Sequence, residues 1–368
     1  MTVTESVSPL VPRRNRSAVR EQLAQRTRSF TELAQTVRSR GLNNRTPGFY
    51  LTVAAALIVA LGGAFTGLVL LRDSWFLLLI AAAFGIIFTQ FAFLGHEASH
   101  RQVLTSGPAN DRLGRVLSTL LVGISYAWWM NKHTRHHGNP NRIGKDPDID
   151  SSIVSFSPED ALASTGLRRW ITRRQGWLFF ALLLFLGLEL HLSSIIGLFA
   201  RRRIEGRGAE IAMLAGRFAV YLGLLFWLVP VGLAFAFLGV QFAVFGLYMG
   251  ITFSPNHIGM PLVPKDKRLD FLDKQVLTSR NVSGGWWMTV LMGGLNYQIE
   301  HHLFPSMPRP HLSTARTLVR QHCDEHGVPY AENSLHDALA IVVRHMNEVG
   351  LAAASRSFGC PTAGALGR

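Results

Sequence analysis

The sequence is poor in charged residues. Asp, Glu, Lys and Arg make up 16% of its 368 residues, hydrophobic residues make up 48%, and the mean hydropathy is +0.20. Soluble domains carry about 25% charged residues, so this composition argues against a soluble enzyme and against a disordered chain. The net charge of +14 lies mainly in arginine-rich blocks between apolar stretches. That distribution suits a protein that faces an anionic membrane leaflet or an acidic headgroup, and no nucleic-acid partner is expected.

Cysteines are scarce as well. The two that occur, Cys323 and Cys360, are too few for a disulfide framework and fit a reducing compartment. Residues 1–45 are polar and arginine-rich without an apolar segment, so we expect no cleaved signal peptide.

Long uncharged runs predict membrane-spanning helices. Phe49–Leu71 and Trp75–Gly95 are each long enough to cross a hydrocarbon core of about 30 Å. Ile211–Phe253 has the length of two spans, and we expect its turn near Gly239–Gln241. Trp177–Ala200 is a fifth candidate on hydropathy alone.

The basic residues predict the orientation. Residues 1–48 contain nine Arg and three Glu, which places the N-terminus in the cytoplasm by the positive-inside rule. Arginines also lie on both sides of Trp177–Ala200: Arg168, Arg169, Arg173 and Arg174 before it, and Arg201, Arg202, Arg203 and Arg207 after it. Because both flanks are basic, we expect this segment to lie in the interface or to dip in and return.

These assignments predict an all-α integral membrane protein of the cell membrane, with four transmembrane helices and a cytoplasmic helical cap. The expected order is a cytoplasmic N-terminal segment (1–48), a transmembrane hairpin (49–95), a first cap region with interfacial helices (96–210), a second hairpin (211–253) and a second cap region (254–368). Both termini are expected in the cytoplasm.

Eight of the fourteen histidines are clustered. The segments HEASH, HTRHH, PNH and QIEHH contain His96, His100, His133, His136, His137, His257, His301 and His302. Spacings of three and four residues put the rings of a cluster on one helix face, and neutral imidazole is the commonest metal ligand. One HxxxH match alone is weak evidence, but the three boxes together are specific. The other six are interpreted as structural: His191, His311, His322, His326, His336 and His345.

The predicted number of membrane crossings agrees with the positions of the histidine clusters. His96 follows the second predicted span and His257 follows the fourth, so an even number of crossings keeps all clusters on the cytoplasmic side. A full crossing by Trp177–Ala200 would separate the last three clustered histidines from the first five. Eight imidazoles exceed the capacity of one four-coordinate zinc ion and indicate two metal ions, although imidazole suits Zn, Cu, Fe and Ni alike.

Polar residues near the clusters are candidates to accept the free ring N–H groups. These are Asn139, Asn141, Asp146, Asp148 and Asn296. Any of them alternatively serves as a simple turn residue, a role that suits Asp146-Pro147-Asp148 equally well.

Two glutamates, Glu97 and Glu300, adjoin predicted ligands but lie on other helix faces. We therefore expect an all-nitrogen site, with the glutamates hydrogen-bonded around it or in contact with solvent.

The three boxes resemble those of membrane fatty-acid desaturases. The likeness is carried by HEASH, HTRHH and especially GGLNYQIEHHLFP (Gly293–Pro305), and it extends from about Phe30 to Pro310. The glutamine at the head of the third box is similar to the front-end type, which inserts a double bond between an existing one and the carboxyl end. An actinobacterial acyl-CoA or acyl-lipid desaturase is the type that the chain resembles most.

The resemblance implies four spans beneath a cytoplasmic cap, a non-haem di-iron centre, O2 as oxidant and electrons derived from NAD(P)H. It implies that the eight clustered histidines are the metal ligands, with no further catalytic residue. Gln298 occupies the place of a ninth histidine in many relatives, where either its amide oxygen or a water would complete the site. Asn256 is implied to hold such a water, or else it caps a helix.

Many front-end enzymes carry a fused cytochrome b5 domain with an HPGG motif, which this sequence does not contain. The resemblance therefore implies a separate electron donor: a ferredoxin, a cytochrome b5 or a flavin reductase. The basic cytoplasmic surface suits an acidic donor and suits anionic lipid equally.

The expected substrate is a long acyl chain, carried by CoA or by a phospholipid, in a narrow apolar tunnel between the cap and the spans. Aromatic residues that flank the second and third boxes are candidates for its walls: Tyr126, Trp128, Trp129, Trp286, Trp287 and Tyr297. Interfacial anchoring is the alternative for the tryptophan pairs.

Two rival functions remain. A hydroxylase, epoxidase or ketolase of the same metal class would act on a lipid and add oxygen. A non-enzymatic metal-binding membrane protein would place ionisable residues near the bilayer midplane, where the four predicted spans have none.

Overall fold

The computed structural model describes residues 16–201 and 204–355. Residues 1–15, Arg202, Arg203 and residues 356–368, which include Cys360, lie outside the described part. The described helices are α1 (Arg16–Ser39), α2 (Pro47–Leu70), α3 (Leu77–Ser99), α4 (Gly107–Arg115), α5 (Tyr126–Gly138), α6 (Pro158–Ala163), α7 (Gly166–Thr172), α8 (Gln175–Leu198), α9 (Arg207–Leu228), α10 (Val231–His257), α11 (Phe271–Leu277), α12 (Trp286–Leu291), α13 (Gln298–Leu303), α14 (Leu312–Glu325) and α15 (Leu335–Ser355).

Shorter elements join these helices. A π-helix (Val116–Val122) follows α4, and two 3-10 turns occupy Leu295–Tyr297 and Arg309–His311. Strands β1 (Asn281–Ser283) and β2 (Glu332–Ser334) pair in parallel.

Five helices of the described chain are long and apolar enough to cross a membrane: α2, α3, α8, α9 and α10. These helices confirm the all-α fold class of a multi-pass membrane protein. Four of the five cover the predicted spans, and the fifth, α8, is the segment expected to lie in the interface. How many of the five cross the bilayer stays a prediction.

The predicted turn near Gly239–Gln241 is wrong. The chain breaks instead at Val229 and Pro230, and α10 runs without interruption through Gly239. Proline has no N–H to donate, is favoured at a helix start and costs about 3 kcal/mol or more in a helix interior, whereas a glycine inside a helix costs only about 1 kcal/mol. Pro230 was therefore the stronger signal for the turn.

Aromatic side chains of α3 and α10 form the centre of the apolar core. Phe84, Phe91 and Phe93 of α3 are buried, as are Phe237 and Phe245 of α10. Many large apolar side chains on the outer faces of the five long helices remain exposed, which is the composition of a surface that faces lipid.

Helix α8 crosses α10 at close range. Gly187 of α8 lies against the backbone of Phe242, and Gly246 of α10 lies against the backbone of Gly187. At the start of α8, Gln175 donates hydrogen bonds to Ser155 O at 2.8 Å and to Met346 O at 3.1 Å.

The other end of α8 lies near α5. Gly197 is in contact with the side chain of Trp128, in the first turn of α5. The start of α9 meets the same region, because Glu210 accepts hydrogen bonds from Ser125 Oγ at 2.6 Å and from the backbone N–H of Ala127 at 3.1 Å.

Candidate metal centre

Four helix ends bring the histidine boxes together. The last turn of α3 contains His96, and His100 follows its final residue. The second box lies on α5, the final residue of α10 is His257, and α13 carries the third box. All eight clustered histidines fall into two adjoining groups.

The larger group consists of His96, His100, His133, His137 and His301, whose ligand atoms all lie within 4.8 Å of one another. The Nε2 atom of His133 is 2.9 Å from that of His96 and 2.7 Å from that of His100. The Nε2 atoms of His301 and His137 are 3.1 Å apart. Rings from all three boxes thus direct the same nitrogen toward one space, as the ligands of one metal ion do.

The smaller group consists of His136, His257 and His302, again with ligand atoms within 4.8 Å of one another. Each of these rings has an acceptor at Nδ1. Both carboxylate oxygens of Asp146 lie 3.0 Å from His136 Nδ1, and Thr278 O lies 2.8 Å from His257 Nδ1.

The third ring is held in the same way, with Gln275 Oε1 3.0 Å from His302 Nδ1. An acceptor at Nδ1 keeps the ring proton there and leaves the Nε2 lone pair for a metal ion. The Nε2 atom of His302 is buried and has no hydrogen-bond partner among the described atoms, which fits a metal ligand.

Burial keeps most of these rings neutral. Burial and the nearby His136 lower the pKa of His100 to about 3. Burial and neighbouring imidazoles lower the pKa of four further rings well below 6.5: His133, His137, His301 and His302. A neutral imidazole has a free lone pair, so these side chains are prepared to bind a metal near neutral pH.

His136 differs from the other rings. Burial lowers its pKa, but Asp148 and Asp146 together outweigh burial and raise it. A carboxylate behind a ligand ring also makes that ring a more basic ligand.

Gln298 and Asn256 lie beside the smaller group. Gln298 Nε2 is 2.9 Å from the Nε2 atom of His257, and Gln298 Oε1 accepts a hydrogen bond from Asn256 Nδ2 at 3.1 Å. Asn256 Oδ1 is buried without a partner among the described atoms. Two amides therefore occupy the side of the site that has fewer imidazoles.

Asp146 both orients a ring and forms a turn. Besides facing His136, its carboxylate accepts the backbone N–H groups of Asn141 at 2.7 Å and Asp148 at 2.9 Å. Asp148 itself lies 3.3 Å from His136 Nδ1 and 3.0 Å from Lys132 Nζ.

The predicted asparagines bond elsewhere. Asn139 donates to Arg135 O at 3.3 Å, and the buried Asn296 donates to Thr289 Oγ1 at 3.4 Å. The Asn141 side chain donates to the carbonyl of His257 at 3.0 Å, so it supports the end of α10 rather than a ring.

Both glutamates next to the predicted ligands are buried, which excludes the solvent contact left open for them. Glu97 accepts two hydrogen bonds from Arg309. Glu300 accepts one from Asn281 at 2.7 Å and one from Tyr330 at 2.8 Å.

Three residues that hold the histidines or the end of α10 in place belong to no recognisable sequence motif. Thr278 acts through its backbone carbonyl, which no residue type encodes. Gln275 lies on the short helix α11, and its Nε2 also donates to His137 O at 3.0 Å. Arg280 donates to Pro255 O at 2.8 Å and so holds the end of α10 beside His257.

An apolar cavity reaches the site at His96. Its lining residues come from α3, the π-helix and the segment after it, α5, α8 and α10: Ala92, Phe93, His96, Ser118, Val122, Ile124, Trp128, Trp129, Leu190, Met249 and Phe253.

Only some of the aromatic residues predicted to line a tunnel lie in the cavity wall. Trp128 and Trp129 line the cavity. Trp286 and Trp287, 80% and 52% exposed, lie on the outside of the structure on α12, so they do not line this cavity and their positions suit interfacial anchoring instead.

The two predicted tyrosines also lie apart from the cavity lining. Tyr126 is buried and donates to Asp111 at 2.8 Å. Tyr297 packs against the apolar cluster around Ile299 and Leu303.

Known proteins are similar to this chain over most of its length. The family model described as fatty acid desaturase matches residues 73–334. Delta(8)-fatty-acid desaturase 2 of Arabidopsis thaliana is 27% identical over 89% of this chain and 76% of its own length. In Caenorhabditis elegans, Delta(6)-fatty-acid desaturase fat-3 is 29% identical over 87% of this chain and 74% of its own length. Delta(5) fatty acid desaturase fat-4 of the same organism is 30% identical over 83% of this chain and 70% of its own length.

These matches and the histidine cluster confirm the resemblance. The chain belongs to the fatty acid desaturase family and is an enzyme that desaturates fatty acids.

Proposed function

We propose that the protein is an O2-dependent fatty acyl desaturase that inserts a cis double bond by means of two non-haem iron ions. The observation that carries this proposal is the division of eight buried imidazoles into groups of five and three, whose ligand atoms lie within 4.8 Å inside each group. The match to the fatty acid desaturase family and the apolar cavity at His96 support it.

The residues present fit two metal ions. The five-histidine group offers more nitrogen ligands than one four-coordinate ion uses. The three-histidine group has rings whose Nδ1 atoms are held by Asp146, Thr278 and Gln275, and Gln298 or a water held by Asn256 would complete it.

Bound iron would supply the oxidising chemistry that no protein side chain has. Two hydrogens would leave adjacent methylenes, and with two electrons and two protons from outside, O2 would be reduced to two waters. The chain itself contributes an apolar cavity that would place one pair of carbons beside His96 and exclude competing solvent.

Electrons must enter from the surface nearest the metals. Gln275 and Lys274 cover the smaller group from outside, because Gln275 bonds to His302 and Lys274 donates to Gly138 O at 2.8 Å. Exposed basic side chains lie on two neighbouring segments: Lys145, Lys265, Lys267 and Arg268. We propose this surface as the place where a separate donor docks, namely a ferredoxin, a cytochrome b5 or a flavin reductase fed by NAD(P)H.

We further propose four crossings of the cell membrane with both termini in the cytoplasm. The contacts of α8 support this topology. Its first residue, Gln175, bonds to Ser155 and Met346, while Gly197 near its end contacts Trp128, one turn before the second box. A helix whose two ends both meet the cap does not need to cross the bilayer.

Expression in a host with a defined fatty-acid profile tests the function. Lipids are extracted, derivatised to locate double bonds and compared with those of a His301→Ala control. We expect a new unsaturated acid in the wild type that is absent from the control. Feeding acyl-CoA to membranes, with analysis of CoA and phospholipid fractions at short times, distinguishes the two acyl carriers.

Product mass separates this function from its closest rival. A desaturase removes two hydrogens from the acyl chain, whereas a hydroxylase or ketolase of the same metal class adds oxygen. An unchanged profile, with a reductase supplied and several chain lengths offered, would contradict the proposal. Metal binding without any O2-dependent product would favour a non-enzymatic metal-binding protein.

A further inference from the structure

His191 and Arg217 are polar residues inside the apolar helices α8 and α9. Both contact the end of the π-helix Val116–Val122. His191 Nε2 lies 3.1 Å from Val122 O, and Arg217 Nε donates to Leu121 O at 2.9 Å. Arg217 is the eleventh of the 22 residues of α9, so the expectation that the predicted spans have no ionisable residue near their middle is wrong for this helix. Ionisable side chains are costly within membrane helices, so the presence of Arg217 calls for a function.

The two carbonyls need outside donors. The last carbonyls of a helix have no partner within it. The π-helix ends at Gly123, whose φ of 97° lies in the left-handed region that favours glycine, so the chain turns away before further backbone donors are in reach. Arg217 supplies one missing N–H group from α9. The His191 ring lies between two carbonyls, with Nε2 3.1 Å from Val122 O and Nδ1 2.7 Å from Gly187 O of its own helix.

Each donor is held in its place. The His191 ring is 5.0 Å from the Phe242 ring and 5.5 Å from the Phe245 ring of α10. The Arg217 guanidinium lies 4.0 Å from the centroid of the Tyr221 ring, in cation–π geometry. The end of the π-helix is therefore fixed to α8 and α9 by rigid contacts.

The π-helix is also a wall of the cavity that begins at His96. Ser118 and Val122 line the cavity from the π-helix, and Leu190 lines it from α8, next to His191. The carbonyl that His191 contacts thus belongs to a lining residue, and the carbonyl that Arg217 contacts belongs to the residue before it.

Val122 and Leu190 lie at the far end of the cavity. On α10 the lining continues from Phe253 to Met249, which is eight residues before His257 and so about 12 Å along the helix axis. His191 packs beside Phe245, one turn further from the metal site. A chain that enters past His96 would meet the wall near Val122 and Leu190.

We propose that His191 and Arg217 are positioning residues that fix the π-helix as the end wall of the acyl cavity, and thereby limit the length of acyl chain beyond the metal site. This inference rests on the proposed function, because an acyl chain is the occupant. It assigns a role to two residues, one of them interpreted as merely structural from sequence.

Substrate selectivity tests the proposal. His191→Leu and Arg217→Leu remove the polar side chains that contact the π-helix, His191→Gln and Arg217→Lys keep a polar group at each position, and Leu192→Ala is the matched control on the exposed side of α8. Conversion is measured for acyl substrates that differ by two carbons. We expect the leucine variants to lose about tenfold in discrimination against the chain two carbons too long, while iron per chain stays unchanged and the other three variants resemble the wild type.

A binding measurement separates the inference from the activity. Acyl-CoAs and phosphatidylcholines with a diazirine at the methyl end are photolysed with the metal-loaded protein, and the labelled residues are identified by mass spectrometry. We expect labels at Val122 or Leu190 in the wild type, and labels beyond them with longer probes in the leucine variants. Label at these residues without any conversion would contradict the proposed function but support the inference that Val122 and Leu190 form the end wall of the cavity.

Two results would overturn the inference. One is an equal loss of conversion at every chain length with unchanged labels. The other is label away from the cavity. If a leucine variant does not accumulate, Val122→Ala removes bulk from the same wall without touching a donor, and it must extend the accepted length.

Discussion

Arg309 donates two hydrogen bonds to Glu97, from Nε to Oε1 at 2.7 Å and from Nη2 to Oε2 at 2.5 Å. Both side chains are buried, and the pair ties the first histidine box to the segment that follows the third. Removing one partner of a buried ion pair leaves an uncompensated charge and costs about 3–5 kcal/mol. We therefore expect Arg309→Met to lower the free energy of unfolding by about that amount, measured by denaturation in detergent.

Arg316 provides a matched control. It makes the same two hydrogen bonds to Glu332, at 2.7 and 2.5 Å, but this pair is partly exposed. Such pairs contribute at most about 1 kcal/mol to stability, so Arg316→Met should lower the free energy of unfolding by no more than that amount. The double variant Glu97→Leu with Arg309→Met removes both charges and should recover much of the lost stability. Equal costs for the two single arginine variants would show that burial does not govern the Arg309 contact.

The sequence motifs identified the candidate ligands but not their division between two groups. His136 and His137 are adjacent in sequence, yet one belongs to the smaller group and the other to the larger, and His301 and His302 divide in the same way. Adjacent residues on a helix point about 100° apart, so a helix that lies between two metal ions presents one ring to each. Which ring faces which side depends on helix packing, which spacing does not encode.

Supports of the site were harder to predict for a different reason. The acceptor for His257 is the backbone carbonyl of Thr278, and the donors that hold the end of α10 come from Arg280 and Asn141. Contacts of this kind depend on tertiary position and leave no trace in residue spacing. The helices themselves were predictable, because long apolar runs and box spacing are local signals.

Metal content should distinguish the two groups. His302→Ala leaves the smaller group with two imidazoles, so we expect this variant to retain about one metal ion per chain. His301→Ala leaves four imidazoles in the larger group, so we expect it to retain close to two ions with weaker binding. Iron per chain is measured after dialysis against a chelator.

His326→Ala, directly after α14 and outside both groups, serves as the control and should match the wild type. If His302→Ala also held two ions per chain, the smaller group would not be a separate metal site.

Asp146 should affect metal affinity more than its neighbour does. Asp146 is buried and has both oxygens 3.0 Å from His136 Nδ1, whereas Asp148 is 41% exposed at its side chain and 3.3 Å from the same atom. Loss of a group that orients a ligand ring typically costs 10–100-fold in affinity. We expect that loss for Asp146→Ala and a smaller one for Asp148→Ala, measured by competition with a chromogenic chelator. The reverse order would mean that charge near His136 matters more than ring orientation.

Gly246 should be intolerant of any side chain, because it lies where α8 crosses α10. A Cβ atom at Gly246 would collide with backbone atoms of Leu183 and Gly187, which cannot move without separating the two helices, while a Cβ at Gly239 of the same helix would meet nothing within 4 Å. Overpacking costs about 1–3 kcal/mol, and replacing an unconstrained helix glycine by alanine gains up to about 1 kcal/mol. Gly246→Ala should therefore lower the unfolding temperature in circular dichroism, and Gly239→Ala should keep or raise it. If the two variants unfolded at the same temperature, α8 and α10 would not approach as closely as the structure shows at Gly246 and Gly187.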